Sequence, residues 1–199
     1  MSTHADHFST NYAYWLTAYT GGQTFLEQLQ YIIGEEAHKR LMLRYYDEWK
    51  FKHPNPRDFI RIAEYESGLE LDWYLEYFIN STKMIDYAID NLEKDGKRTK
   101  VTLSRIGQFP MPIDLAVTME NGTKKMYTIP LGLMRGEKTS ENGMTYMKVK
   151  DWYWTHSTYE LDIEGAVETV EIDPSGRLAD VNLENNIKSF KPMEKMDKE

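Results

Sequence analysis

"IDLAVTMENGTKKMYTIPL", residues 113–131, is the stretch of sequence that decides the fold. Over residues 113–119 the large apolar side chains occupy every second position, which is the period of a β-strand with one buried face. Asn121-Gly122 then supplies the positive backbone dihedrals of a tight turn, and apolar residues return over 126–129. This stretch predicts a β-hairpin.

Short segments with the same alternation recur on both sides of this hairpin. Residues 85–89 and 101–103 alternate, and the charged "EKDGKRT" between them is typical of a second hairpin. Several short strands at regular spacing indicate a β-sandwich. Further strands are predicted over 145–149, 158–163 and 166–172.

The first eighty residues have a helical period instead. Apolar residues recur at helical spacing from Phe25 to Ile33, and Gly34 follows as a stop signal. In "HPNPRD", Asn55 can cap a new helix that has Pro56 at its first position. The predicted helices cover residues 25–33, 35–49 and 56–66 and the segment "LELDWYLEYFI", which ends near Asn80.

These two patterns predict an α+β protein. With 199 residues, 41% of them hydrophobic, the chain is long enough for substantial cores. We expect an amino-terminal all-helical layer over residues 1–82 and an antiparallel β-sandwich over residues 83–178. Residues 179–199 end in a charged stretch with few apolar side chains, so we expect a partly disordered tail there.

Charge and composition exclude several kinds of function. A formal net charge of -8 disfavours nucleic acid and anionic membranes as partners, because both would repel an acidic surface. The absence of cysteine excludes disulfides, thiolate zinc sites and cysteine nucleophiles. No apolar run reaches the roughly 18 to 20 residues that cross a bilayer, and the first residues do not form a signal peptide. The cellular compartment stays open.

The histidines do not form a recognisable metal-binding motif. Only "HADH" brings two of them close, with His4 and His7 three residues apart and Asp6 between them. A metal site from these three side chains is one interpretation, and a pair of exposed histidines near a chain end is the interpretation we favour. His38 is expected to be solvated on the polar side of its helix. We predict no metal ligand and no cofactor site in this chain.

Three other patterns have simple interpretations. Neighbouring carboxylates such as Glu64 and Glu66 are interpreted as a solvated face, since 32 acidic residues place many such pairs together by chance. "DVNLENN", residues 180–186, partly resembles a calcium loop but lacks the central Gly and the bidentate terminal Glu. The aromatic residues 152–154, like those at 73–77, are expected to pack in a core or an interdomain seam.

Most of the chain resembles one enzyme family. "AYTGGQTFLEQL" (18–29), "YIIG" (31–34) and the segment 45–80, which contains "HPNPRDFIRIAE" and "WYLEYFIN", resemble the later part of the catalytic domain of M1-family zinc aminopeptidases. That domain has a thermolysin-like core. Residues 105–131 and "EIDPSGRLADVN" (171–182) resemble the β-sandwich that follows it in shorter bacterial members.

The resemblance gives a role to one tyrosine. In this family a Tyr-x-Lys-Gly motif begins a helix, and its hydroxyl hydrogen-bonds the oxyanion formed when zinc-activated water attacks the scissile carbonyl. Tyr19-Thr20-Gly21-Gly22 matches at Tyr19 and Gly22, and has Gly21 in place of the Lys. The resemblance therefore implies that Tyr19 stabilises the oxyanion in the complete enzyme. The alternative is that Tyr19 only packs at a helix start. In either case the sequence predicts a Thr-Gly-Gly turn directly after Tyr19, before the helix begins.

The family's zinc-binding motifs are missing from this sequence. Neither the His-Glu-x-x-His helix nor the Gly-x-Met-Glu-Asn loop that binds the substrate's amine is present, and "ENGM" (141–144) does not match that loop. The resemblance implies a carboxy-terminal portion of a zinc aminopeptidase, inactive by itself. Its expected partners are the zinc-bearing amino-terminal half, in cis or in trans, and a peptide substrate. The alternative is a non-catalytic module that binds a partner protein or peptide.

Overall fold

The computed structural model of the protein describes residues 3–141 and 145–190. The chain divides into two compact units. The helical unit consists of Met1–Lys83, Gly132–Gly143 and Arg177–Ala179, and the sheet unit of Met84–Leu131, Met144–Gly176 and Asp180–Glu199. The predicted α+β class is confirmed, with helices in the amino-terminal part and two β-sheets after them.

The helical unit contains the helices that the sequence predicts. Gly34 separates two of them because its φ of 85° is accessible to glycine, and Gly68 ends another in the left-handed conformation. Asn55 and Asp58 form a reciprocal capping box at the start of the helix that has Pro56 in its first turn. The helices are α1 (Asn11–Trp15), α2 (Gly21–Ile33), α3 (Glu35–Trp49), α4 (Pro56–Ser67) and α5 (Asp72–Asn80).

The prediction of a Thr-Gly-Gly turn before α2 is wrong. Residues 16–20 form a π-helical segment that joins α1 to α2, and Gly21 is helical with φ of -61° and ψ of -37°. The helix begins after Thr10, whose side chain accepts a hydrogen bond from the Ala13 N–H at 3.1 Å. Two consecutive glycines indicate a break on propensity alone, but a helix tolerates each at about 1 kcal/mol.

Aromatic side chains form the core of the helical unit. Phe25 of α2 stacks on Tyr74 of α5 with ring centroids 5.0 Å apart and meets the edge of Phe78 at 5.2 Å. The buried Tyr74 hydroxyl donates a hydrogen bond to the carbonyl of Phe25 at 2.7 Å. This contact holds α5 against α2, with the polar end of the ring satisfied as burial requires.

The sheet unit contains a three-stranded sheet in the order β1-β2-β6 and a five-stranded sheet in the order β5-β4-β3-β7-β8. Alternate side chains of β3 at 113, 115 and 117 are fully buried, as the sequence period predicts. The strands are β1 (Tyr87–Asp95), β2 (Arg98–Arg105), β3 (Ile113–Met119), β4 (Lys124–Ile129), β5 (Tyr146–Lys148), β6 (Thr158–Glu164), β7 (Val167–Ile172) and β8 (Ile187–Ser189).

The hairpin predicted at residues 113–131 is present as β3 and β4, with Ile113 opposite Ile129. Its turn differs from the prediction. Of the Asn121-Gly122 pair, only Gly122 has a positive φ, at 82°, and its N–H donates to the Met119 carbonyl. The connection is therefore a longer turn closed by a left-handed glycine rather than a two-residue turn with two positive dihedrals.

The prediction of a wholly antiparallel arrangement is wrong at one strand. β5 pairs in parallel with β4, with Met126 opposite Tyr146. Parallel neighbours need a crossover connection, and the chain between them passes through residues 132–141, which belong to the helical unit. The sequence pattern shows a strand at β5 but carries no information on its direction.

The region expected to be a tail contains regular structure in its first part. Residues 183–185 form a 3-10 turn, and β8 pairs antiparallel with β7, with Val170 opposite Lys188. Residues 191–199 lie outside the described residues, so the disorder expected there stays a prediction. Within the described ranges, no helix is long and apolar enough to cross a bilayer.

Candidate functional site

Tyr19 lies in the π-helical segment between α1 and α2. The Gly21 N–H donates to the carbonyl of Leu16, five residues back, and this wider turn defines the segment. The Tyr19 side chain is 63% exposed, so it does not pack in a core at a helix start. Within residues 3–141 and 145–190, no hydrogen bond satisfies its hydroxyl. Single π-helical turns inserted in α-helices often occur at functional sites.

Tyr19 belongs to an exposed row of apolar side chains, here called the aromatic stripe. The stripe consists of Tyr12, Trp15, Leu16 and Tyr19, which follow one another at intervals of one to three residues along the first helical stretch. The rings of Tyr12 and Trp15 stack with centroids 6.4 Å apart. A contiguous exposed apolar surface of this kind is typical of a face that contacts another molecule or domain.

The carboxy-terminal part of α2 is rigidly held, which fixes the position of the helix that follows Tyr19. The buried Gln28 side chain donates to the carbonyl of Arg177 and accepts from the Ala179 N–H at 3.1 Å. Leu29 and Ile32 are fully buried on the same helix. The exposed Tyr19 hydroxyl lies two residues before this anchored helix begins at Gly21.

A buried ionic group lies at the α2–α3 junction, here called the Glu141 cluster and made of Tyr31, Lys138, Glu141 and Arg177. The Glu141 carboxylate accepts from Arg177 at 2.6 Å, from Lys138 Nζ at 3.3 Å and from the backbone N–H of Glu35 at 2.8 Å. Lys138 also donates to the Tyr31 carbonyl at 2.9 Å and lies over the Tyr31 ring at 4.5 Å. These bonds tie residues 138–141 to α2 and α3.

The protonation of Glu141 follows from these contacts. Burial by itself would raise the pKa of the carboxyl group. The Arg177 hydrogen bond, the charges of Lys138 and Arg177, and the Glu35 N–H outweigh this effect and lower the pKa below its ordinary value. Glu141 is therefore an ionised structural residue, although the sequence shows it only as the first letter of "ENGM". Residues 142–144 of that tetrapeptide lie outside the described residues.

The described residues do not fit a zinc site. Among them, no group of three or more His, Cys, Asp or Glu side chains can hold a metal ion. In "HADH", the His4 Nδ1 accepts from the Asp6 N–H at 3.3 Å, and the His4 and His7 rings lie 5.8 Å apart on the surface. His4 is thus a local helix cap.

Three further predictions about single side chains have mixed outcomes. The solvated position expected for His38 is wrong: it is half-buried, its Nε2 has no partner among the described residues, and burial lowers its pKa. Glu66 is not part of a freely solvated face, because it pairs with Arg44 at 3.0 Å. Trp152 packs in a core against the Tyr87 ring at 5.4 Å. Its neighbours Tyr153 and Trp154 are exposed.

A groove of about 740 Å³ is lined by the start of α4 and by α5. Its lining includes Arg57 and the carboxylates of Asp72 and Glu76, and the Glu76 carboxylate accepts from Asn80 at 2.7 Å. Sequence patterns did not reveal this groove, because its walls come from helices whose packing angle no local pattern specifies.

The fold has a relative of known structure. It is similar to part of the aminopeptidase A of Legionella pneumophila, solved in complex with aspartic acid, with a TM-score of 0.50 and 14% sequence identity. The match covers 78% of this chain and 16% of that protein, so the chain spans a small part of the relative's length. No family model matches the sequence, and no curated protein matches it. The shared feature is therefore an aminopeptidase-like fold.

Proposed function

We propose that this chain is the carboxy-terminal portion of an M1-type zinc aminopeptidase, and that Tyr19 supplies a hydrogen bond to the oxyanion during peptide hydrolysis. The observation that carries the proposal is the position of Tyr19, exposed and without a hydrogen-bond partner among the described residues, on a π-helical turn before the anchored helix α2. The aminopeptidase-like fold and the sequence resemblance support it.

The chemistry suits the side chain. A neutral phenol donates a hydrogen bond to developing negative charge without giving up its proton, so it stabilises the transition state more than the ground state. Such a donor must be placed before the reaction begins. The anchoring of α2 through Gln28, nine residues after Tyr19, supports this requirement.

Among its described residues, the chain has no group of three or more His, Cys, Asp or Glu side chains that could hold a zinc ion. We therefore propose that activity requires the zinc-bearing amino-terminal half, joined in cis or bound in trans. The isolated chain should contain no stoichiometric zinc and should not turn over a peptide anilide. One zinc per chain together with turnover would contradict this proposal.

The first experiment is an immunoblot of source-cell extract with an antibody against "KPMEKMDKE", residues 191–199. A band well above the 23.5 kDa of this chain supports a larger aminopeptidase. A band at 23.5 kDa would confine the proposal to association in trans, and purification from the extract would then have to yield a zinc-bearing partner.

The decisive test of Tyr19 is its replacement by Phe in the zinc-containing enzyme. Loss of one oxyanion donor lowers kcat by roughly 10²- to 10³-fold. KM should stay nearly constant, because the bond strengthens only in the transition state. Tyr12→Phe is the matched control, since it removes a hydroxyl from another exposed tyrosine of the stripe. Equal kcat values for Tyr19→Phe and the unmodified enzyme would refute the assignment.

The aromatic stripe favours a second candidate function, that of a non-catalytic module that binds a partner protein or peptide. In that case Trp15→Ala should abolish self-association or dye binding by the isolated chain. Phe51→Ala is the control, because Phe51 is a fully exposed aromatic residue outside the stripe. A monomer at high concentration with no dye-binding surface would count against this function.

A further inference from the structure

Residues 180–186 of the sheet unit place oxygen-bearing side chains beside the start of β1. Asp180 and Ile85 form a parallel bridge, in which the Val181 N–H donates to the Ile85 carbonyl at 3.1 Å. The Tyr87 N–H donates to Asp180 Oδ2 at 3.0 Å, and the Asn182 N–H donates to Asp180 Oδ1 at 2.9 Å. The Asp180 carboxylate is thus fixed next to the backbone that carries Asp86.

Buried oxygens of Asp86, Asn185 and Asn186 have no hydrogen-bond partner among the described residues. Asn186 is only 4% exposed, its side chain lies near enough to the Asp180 carboxylate to lower its pKa, and its Oδ1 has no partner. Asp86 Oδ1 and Asn185 Oδ1 are also buried and unpaired. A buried polar atom without a partner costs about 1 to 3 kcal/mol, so such a group of acceptors indicates a missing donor or cation.

The orientation of the Asn186 amide follows from its neighbour. A carboxylate accepts hydrogen bonds only, so the NH₂ group is the end of the Asn186 amide that suits Asp180, and Oδ1 is the atom left without a partner. The backbone on both sides is held as well: the Asn186 N–H donates to the Leu183 carbonyl, and the Asn186 carbonyl accepts from the Ile172 N–H at 2.8 Å. The amide oxygen is therefore a preplaced acceptor beside Asp180.

Two carboxylates, Asp86 and Asp180, give this place a negative charge. Burial raises the pKa of Asp180, and the nearby Asp86 carboxylate raises it further, against the hydrogen bonds from Asn182, Tyr87 and Asn186. Within the described ranges, neither carboxylate forms a salt bridge. Arg105, which lies opposite Tyr87 in the β1–β2 register, donates to the Trp154 carbonyl, and its Nε is buried without a partner. A bound cation would neutralise the carboxylates and satisfy the free oxygens.

We propose that Asp86, Asp180 and Asn186 form a binding site for a divalent hard cation of the calcium type. Carboxylate and amide oxygens are the ligands that Ca²⁺ prefers, at about 2.3 to 2.6 Å, with water completing the coordination. The ligands come from two distant segments of the chain, so the site is not a continuous calcium loop. One of its three ligands is an amide, so the site differs from a cluster of three or more His, Cys, Asp or Glu side chains, which the described residues lack. The site is independent of the proposed peptidase role.

The test is calorimetric titration of the full chain, stripped with EDTA, with CaCl₂ and separately with MgCl₂. One saturable Ca²⁺ site per chain is expected, with a Kd of roughly 10⁻⁴ to 10⁻³ M, the weak end of the range for calcium sites, because only two ligands are charged. Saturating Ca²⁺ should also raise the Tm, because the ion binds the folded state. Mg²⁺ should bind more weakly, since it requires stricter geometry and loses water reluctantly.

Asp86→Asn removes one ligand charge at constant shape and should weaken Ca²⁺ binding by about tenfold or more. Asp90→Asn is the matched control. It removes the same charge from an exposed position on β1, where Asp90 accepts a hydrogen bond from Ser104, and it should leave the Kd unchanged. If Asp86→Asn does not fold in EDTA, as judged by circular dichroism, Asn186→Ala serves as the second variant, with the same loss expected.

Two results would overturn the site. Absence of saturable heat and of any Tm shift in CaCl₂ would mean that water alone satisfies these oxygens. Equal weakening by Asp86→Asn and Asp90→Asn would mean that Ca²⁺ associates only with the diffuse negative charge of the surface. One-to-one binding that is lost with Asp86→Asn and kept with Asp90→Asn would support the site.

Discussion

Replacement of Glu141 by Gln should destabilise the helical unit more than any exposed charge change in it. The Glu141 side chain is 3% exposed and accepts from Arg177, Lys138 and the Glu35 N–H. Gln keeps the shape but loses the charge, and its NH₂ group faces other donors. The Lys138 ammonium, 4% exposed in its side chain, then loses its counter-ion. Breaking a buried ion pair in this way costs about 3 to 5 kcal/mol.

The measurement is native-state hydrogen exchange on the full chain, followed on peptides from α2 and α3. Because each 1.4 kcal/mol is a factor of ten, protection in these helices should fall by roughly 10²- to 10⁴-fold. Glu36→Gln is the matched control, because it removes the same charge from an exposed position on α3, and its effect should stay within about 0.5 kcal/mol. Protection that is equal in the two variants would refute the structural role of the Glu141 cluster.

The same residue predicts a pH dependence. The pKa of Glu141 is lower in the folded chain than its ordinary value of 4.5, so the ionised form stabilises the fold. This stabilisation is fully present above pH 4.5 and is lost as the pH falls through the lower, folded-state pKa. Protection of α2 and α3 in the unmodified chain should therefore decrease below pH 4.5, and the Glu141→Gln variant should lack this component. Parallel pH profiles for the two proteins would contradict the assignment.

Two smaller perturbations test the sheet unit and one helix start. Tyr87→Phe should destabilise the sheet unit by about 1 to 3 kcal/mol, because the buried hydroxyl accepts from the Met111 N–H at 2.8 Å and donates to the Met111 carbonyl. Urea unfolding measures this loss. The control is Tyr153→Phe, which removes an exposed hydroxyl. Asn55→Ala should lower the free energy of unfolding by about 1 kcal/mol, because it removes the cap of α4. It should speed amide hydrogen exchange in the first turn of α4 only. Unchanged exchange in that turn would argue against the capping box.

Local patterns predicted the elements that depend on neighbouring residues. α3 begins at Glu35 and ends at Trp49 as the apolar spacing indicates, and α4 begins at Pro56 after its Asn cap. The β3–β4 hairpin follows from alternation and a glycine turn. In each case the signal lies within a few residues, because helix and strand periods and caps are local properties of the backbone.

Other features depend on residues that meet only in the folded chain. The sequence does not predict the π-helical turn at Tyr19, because the Gly-Gly pair after it indicates a break. It also predicts a solvated His38, whereas packing against neighbouring residues decides the burial of this side chain. The role proposed for Tyr19 rests on a family resemblance, since one tyrosine beside a glycine pair has no distinctive period or spacing.

By itself the sequence determined the α+β class, the positions of α3 and α4, the β3–β4 hairpin and the lack of a recognisable zinc motif. Only the tertiary structure decided that β5 runs parallel to β4, that Glu141 meets Arg177, and that Asp180 lies beside the start of β1. The physical reason is the range of the interactions. Periods and caps act over one or two turns of chain, whereas strand direction and buried polar groups depend on contacts between segments separated by tens of residues.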